Sequence, residues 1–228
     1  MRFFFNFIDK VKNRANSVFP FEYNKVIEFN NEFSELLKKD AFLARSDYSF
    51  LLTKYDDIYV FFNSCKTALT LEFYCKQNKI NKKEIETFLQ AYEDIKDLRK
   101  GSSIINKHNE QYIISHLKNE KTYFDVILQE IDRNILLDEE QRRVVLSDED
   151  YTLIIAGAGA GKTTTIAAKV RYLVEKKHVD PKQILVISFT NKAVGELKER
   201  INDGLKIPCP ITTFHSAGYA CLLYTSPS

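Results

Sequence analysis

Glycine and proline are scarce, seven and five in 228 residues, and up to position 134 only Gly101 and Pro20 occur. A stretch with so few chain-breakers excludes a turn-rich architecture and leaves long helices uninterrupted. Cysteine is scarcer still: Cys65, Cys75, Cys209 and Cys221 are scattered, with no CxxC pair. Neither a zinc site nor a disulfide framework follows from that spacing, and reduced thiols in a cytosolic protein are expected. An excess of one charge is also lacking, with 33 basic against 31 acidic side chains. Splitting the chain after Asn134 leaves 21 against 20 and 12 against 11. A phosphate-backbone partner therefore cannot be argued from bulk charge and must come from motifs. No apolar run reaches the roughly 18–20 residues that cross a bilayer. The opening Met1-Arg-Phe-Phe-Phe-Asn-Phe-Ile8 is broken by Asn6 and ended by Asp9 and Lys10, too short for a signal peptide. The chain reads as cytoplasmic, with no membrane partner.

What is present is a 44% apolar composition, enough for a core, and two textures. Residues 1–134 read as an all-helical N-terminal region. Val26–Lys39, Tyr59–Gln77, Lys83–Arg99 and Asn109–Ile131 place apolar residues three and four apart, with Lys and Glu between them. Gly101-Ser102-Ser103 is the clearest break. The Phe and Tyr residues on these stripes read as core rather than as a base-stacking platform. After Leu136 the pattern alternates. Strands are expected at Thr152–Ala156, Ile184–Phe189 and Ile211–Thr213, with helices over Thr163–Lys177 and about Lys192–Ile201. Continuous apolar strands alternating with helices imply a parallel sheet covered on both faces. Three strands are too few to finish one, so residues 135–220 are expected to be an open-ended α/β domain. Cys221-Leu-Leu-Tyr-Thr-Ser-Pro-Ser228 reads as translated sequencing adaptor and is set aside from fold reasoning.

Chemistry concentrates at Ala156-Gly-Ala-Gly-Ala-Gly-Lys-Thr163, between an expected strand and an expected helix. It matches the phosphate-loop pattern GxxxxGK followed by Ser or Thr, except that Ala156 stands at the first Gly. Gly157, Ala158, Gly159, Ala160 and Gly161 would turn backbone N–H groups toward phosphate oxygens, assisted by the dipole of the following helix. Lys162 would reach the β- and γ-phosphates of ATP, and the Thr163 hydroxyl would coordinate Mg²⁺, with Thr164 alongside. Gln141 precedes Lys162 by twenty-one residues. Its amide offers a donor and an acceptor, a match for the N6/N7 edge of adenine.

Four stretches in order, LDEEQRRVV, AGAGAGKTTT, ILVISFTNKAVGELKERI and ITTFHSAG, resemble the Q motif and motifs I, Ia and Ib of UvrD/Rep-like superfamily 1 DNA helicases. The resemblance covers about Asn109–Ala220. Within the family it is most similar to the helicase IV-type branch, where a helical extension precedes the Q motif. It implies an incomplete RecA-like P-loop NTPase domain. It also implies ATP-dependent 3′→5′ unwinding or translocation on single-stranded DNA or a duplex/single-strand junction, and a role in DNA repair. By the same resemblance Gln141 recognises adenine, Lys162 and Thr163 are catalytic, and Arg142 or Arg143 lies near the nucleotide. Phe189 would stack on a base, Thr190 and Asn191 would touch the DNA backbone, and Thr213 and His215 would do likewise. Phe189 and Phe214 read alternatively as core residues at strand ends.

The family's acidic Walker B motif, its later arginines and its second RecA-like domain do not lie in these residues, so the chain is expected to stop before the enzyme is complete and to be inactive alone. The alternatives are a P-loop nucleotide-binding regulatory module without DNA unwinding, and a helical protein-interaction role for residues 1–134.

Overall fold

A computed structural model describes residues 23–64, 82–157 and 159–225. The chain divides into two compact units, residues 1–112 and 113–228. The helix expected over Tyr59–Gln77 lies partly outside the described residues, as do Ala158, Cys65 and Cys75.

In the first unit the described elements are α1 (Tyr23–Leu37), α2 (Arg45–Lys54), α3 (Asp56–Ser64), α4 (Lys82–Lys100) and the first turns of α5 (Ser103–Asn119). Their apolar stripes meet in one core of Phe29, Phe33, Leu51, Tyr55, Phe61, Phe88, Ile95 and Leu98. Its aromatics interlock: Phe29 stacks on Phe33 at 5.6 Å and meets Tyr55 edge-on at 5.3 Å. Phe61 meets Phe88 edge-on at 5.8 Å. These rings are core, as their helical spacing implies. The loop before α2 is held by buried Asn109, whose amide donates to Leu43 O at 2.9 Å and accepts from Leu43 N at 2.8 Å. The break at Gly101 is a left-handed turn, with φ +115° at Gly101 and +35° at Ser102. Asp97 reaches across it to cap α5, accepting from Ser103 N at 3.0 Å, Ser103 Oγ at 2.7 Å and Ile104 N at 3.0 Å. Burial alone would raise the Asp97 carboxyl, but these N–H and hydroxyl donors, with Ser102 Oγ, outweigh it and hold the group below its ordinary value.

The second unit is a helix-rich α/β arrangement around a small parallel sheet. It contains the end of α5, then α6 (Lys121–Val126), α7 (Glu139–Leu146), α8 (Lys162–Glu175), β1 (Val186–Ser188), α9 (Asn191–Lys198), β2 (Ile211–Thr213) and α10 (Phe214–Thr225). β1 and β2 pair parallel, Val186 with Ile211 and Ser188 with Thr213. Val194 and Leu197 of α9 are buried, and the chain continues through a π-helical turn, Glu199–Gly204, with Ile201 fully buried. Asn202 then fastens the return to β2 by donating to Ile207 O at 2.9 Å and Cys209 O at 3.1 Å.

The run Thr152–Ala156 forms no strand, contrary to its apolar pattern. Leu153 and Ile155 are 85% and 90% exposed. An all-apolar strand is stable only between neighbouring strands under helices on both faces, and among the described residues β1 and β2 pair only with each other. The two other expected strands are present, Ile184–Phe189 shortened to Val186–Ser188.

Candidate functional site

The glycine-rich loop enters α8 through two glycines with left-handed backbones, Gly159 at φ +76° and Gly161 at +74°. A residue with a Cβ is strained in that region. Gly161 is also the N-cap of α8, so the helix starts at Lys162 with its first N–H groups facing the loop. Side chains added at Gly157 or Gly159 would meet nothing within 4 Å. The loop is thus an open cradle at a positive helix end, a geometry suited to a polyphosphate. Lys162 folds over it, its Nζ donating to Ala156 O at 3.0 Å and Gly157 O at 2.7 Å. Thr163 and Thr164 lie half-buried in the first turn of α8, and Thr164 Oγ1 accepts from Arg200 Nη1 at 3.2 Å. Thr165 closes the turn by donating Oγ1–H to Gly161 O at 3.1 Å.

Gln141 meets this loop from α7. Asp138 caps that helix by accepting from Gln141 N at 2.8 Å, and Gln141 Oε1 accepts in return from Asp138 N at 3.0 Å. This reciprocal box fixes the side chain at the helix start. Its other end, Nε2, donates to Ala160 O at 3.4 Å. Gln141, Lys162, Ala156 and Ala160 line one cleft of about 590 Å³ with Asp138, Arg143 and the 152–155 segment. A residue paired with the loop only through tertiary structure is thereby brought beside it.

Arg142 goes elsewhere. Its Nε donates to Leu137 O at 2.9 Å and its Nη2 to Asp125 Oδ1 at 2.7 Å, so it braces α7 against α6. Arg143 is the one of the pair that lines the cleft. Sequence reasoning passed over Lys169, which ties α8 to the far end of α7. Its Nζ donates to Val145 O at 3.0 Å and Ser147 O at 2.6 Å, with Asp148 at 3.7 Å. Burial lowers its pKa, against the pull of Asp148. A cation among the last carbonyls of a helix is a favourable cap. Lys169 follows Lys162 by about two turns of one helix face, and that spacing was the available signal.

The motif Ia and Ib residues gather at the C-terminal ends of the paired strands. Ser188 pairs with Thr213, so Phe189 and Phe214 each follow the last paired residue of their strand. They are 83% and 69% exposed, so neither is core. Thr190 Oγ1 accepts from Ala193 N at 3.2 Å and caps α9. Thr213 Oγ1 accepts from Ser216 N at 3.2 Å and caps the start of α10. Asn191 and His215 are exposed beside them. In open parallel sheets, ligands bind outside this end of the strands.

The arrangement has relatives. Residues 137–226 match the model of the UvrD/REP helicase N-terminal domain. Over 85 residues the chain is 48% identical to a DNA helicase II homolog of Mycoplasma capricolum, covering 36% of this chain and 12% of that protein. It is 41% identical over 88 residues to the ATP-dependent DNA helicase Rep of Buchnera aphidicola, covering 37% and 13%. It is 40% identical over 83 residues to the ATP-dependent DNA helicase PcrA of Staphylococcus aureus, covering 35% and 11%. The matched stretch is thus little more than a tenth of each of these relatives. The likeness to the UvrD/REP helicase N-terminal domain family is thus confined to residues 137–226, fewer than half of the 228.

Proposed function

We propose that this chain supplies the ATP-binding front of a 3′→5′ DNA helicase or translocase. The observation that supports the reading is the approach of Gln141 Nε2 to Ala160 O, 3.4 Å away, in the glycine-rich loop that ends in Lys162. Gln141 reads the adenine edge. Gly157, Gly159 and Gly161, with Ala158 and Ala160 between them and Ala156 before them, bend the backbone around the phosphates. Lys162 leaves its two loop carbonyls for the β- and γ-phosphate oxygens. The Thr163 hydroxyl would hold Mg²⁺, which would supply positive charge to offset that of the phosphates. Phe189 stacks on a base of single-stranded DNA, at a strand or duplex junction, with Phe214 after the neighbouring strand. Thr190, Asn191, Thr213 and His215 contact the DNA backbone, the two threonines through whatever hydrogen-bonding capacity their capping roles leave.

No acidic pair follows a strand after Phe189 in this chain. The 228-residue polypeptide on its own therefore binds nucleotide weakly and does not turn it over. A cytoplasmic role in DNA repair fits this reading, and no helix among the described residues is long and apolar enough to cross a membrane.

The competing reading is a P-loop nucleotide-binding regulatory module. Unwinding assays on duplexes with a 3′ or a 5′ single-strand tail, using the longest native protein that contains this chain, separate the two. ATP-dependent opening of the 3′-tailed duplex supports the motor. Opening of neither duplex, with nucleotide binding retained, supports the regulatory module.

A further inference from the structure

Arg142 and Gln141 are consecutive on α7, so their side chains leave the helix about 100° apart. Gln141 faces Ala160 and Gly161. Arg142 faces α6, bonded to Asp125 Oδ1 and Leu137 O, with its guanidinium 5.9 Å from the Phe124 ring centre. Its side chain is 15% exposed, against 40% for Asp125. Next to Asp125, Phe124 stacks on Tyr172 of α8, with ring centres 6.1 Å apart and planes 12° from parallel. α8 is the helix that Lys162 begins. A closed circuit results, running from the phosphate loop through α8 to Phe124, Asp125, Arg142 and Gln141, and from Gln141 back to the loop. An end-on ion pair can slide, but the Arg fork bonds two partners on different segments and fixes rotation as well as distance.

We propose that Arg142, held by Asp125, is a positioning residue for base selection: it sets the rotation of α7 that keeps the Gln141 amide over the loop. It touches no part of the nucleotide. The inference rests on the reading of Gln141 as the adenine contact. It assigns base selectivity to a pair whose acidic member, Asp125, lies outside the segment that matches the helicase family.

The test is equilibrium binding of ATP, GTP and inorganic tripolyphosphate to the 228-residue chain. Arg142→Gln should weaken ATP by about three- to tenfold, the size usual for coupled neighbours, and bring the ATP/GTP ratio toward one. Tripolyphosphate, which has no base, should bind as in the wild type. Asp125→Asn keeps an acceptor and should shift the ratio in the same direction by less, which covers the case of a poorly folded Arg142 variant. In a Gln141→Ala background, Arg142→Gln should add nothing. A parallel loss of tripolyphosphate binding, or a further loss of ATP binding in the Gln141→Ala background, would overturn the proposal. An unchanged ATP/GTP ratio in Gln141→Ala alone overturns the reading of Gln141 itself, and the inference with it.

Discussion

A Cβ on Gly161 would stand 2.5 Å from Nε2 of Gln141, closer than any real contact allows. The amide is the far end of a flexible side chain, so it would swing away and lose its place over the loop. Gly161 also holds φ +74°, where an alanine is strained by roughly 1–2 kcal/mol. We expect Gly161→Ala to lower unfolding free energy by about that amount in a denaturant titration and to weaken ATP binding together with preference over GTP. Gly157→Ala, whose Cβ would meet nothing within 4 Å, should leave unfolding unchanged. Equal stability of the two variants would show that Gly161 is not under this constraint.

Phe189 and Phe214 separate a stacking platform from a core. Both are largely exposed, so Phe189→Ala and Phe214→Ala should each change stability by less than about 0.5 kcal/mol. Loss of one base stack should weaken single-stranded DNA binding by a factor of roughly 5 to 150. Fluorescence anisotropy of a labelled oligonucleotide and a thermal melt on the same samples decide the point. A lowered melting temperature with unchanged DNA affinity would return these residues to a packing role.

Asp97 makes the first unit's stability sensitive to acid. Its carboxyl is held below the ordinary value of 3.8 by the donors of Ser103 and Ile104. A carboxyl lowered in the folded state contributes stability above its ordinary pKa, and that contribution is lost as pH falls through the lowered value. Asp97→Asn should therefore cost about 1–2 kcal/mol near neutrality, as for other helix caps, with the deficit shrinking below about pH 4. Thermal melts of both proteins across that range measure it. A deficit independent of pH would show that the cap does not need the charge.

How much of this was legible in the residues differs from feature to feature. The loop and α8 were, because Gly-Lys-Thr and a helical apolar period are local signals. The aromatic core of the first unit was, for the same reason. Thr152–Ala156 was not, because the same apolar run is a strand only when neighbours pair with it. The texture changes after Leu136, and the two compact units are residues 1–112 and 113–228. Tyr123, Phe124 and Asp125 pack on α7 and α8 although their own sequence is helical. The Asp97 cap escaped the usual capping-box signature because it reaches six residues forward, across a left-handed turn. The approach of Gln141 to Gly161 and the turn of Arg142 toward Asp125 are tertiary events with no local pattern.

Phosphate release from Mg²⁺-ATP, with and without single-stranded DNA, tests most directly whether this loop powers a DNA motor. The comparison uses the longest native protein containing this chain and its Lys162→Ala variant. Lys162→Ala keeps the left-handed glycines at 159 and 161 while removing the ammonium that the proposed function sets on the phosphates. We expect DNA to raise turnover in the native protein at least about tenfold, and Lys162→Ala to abolish it, a loss on the order of 10²–10³ for an electrostatic group at the reacting charge. Turnover indifferent to DNA, or a Lys162→Ala variant within a few-fold of the native protein, would contradict it.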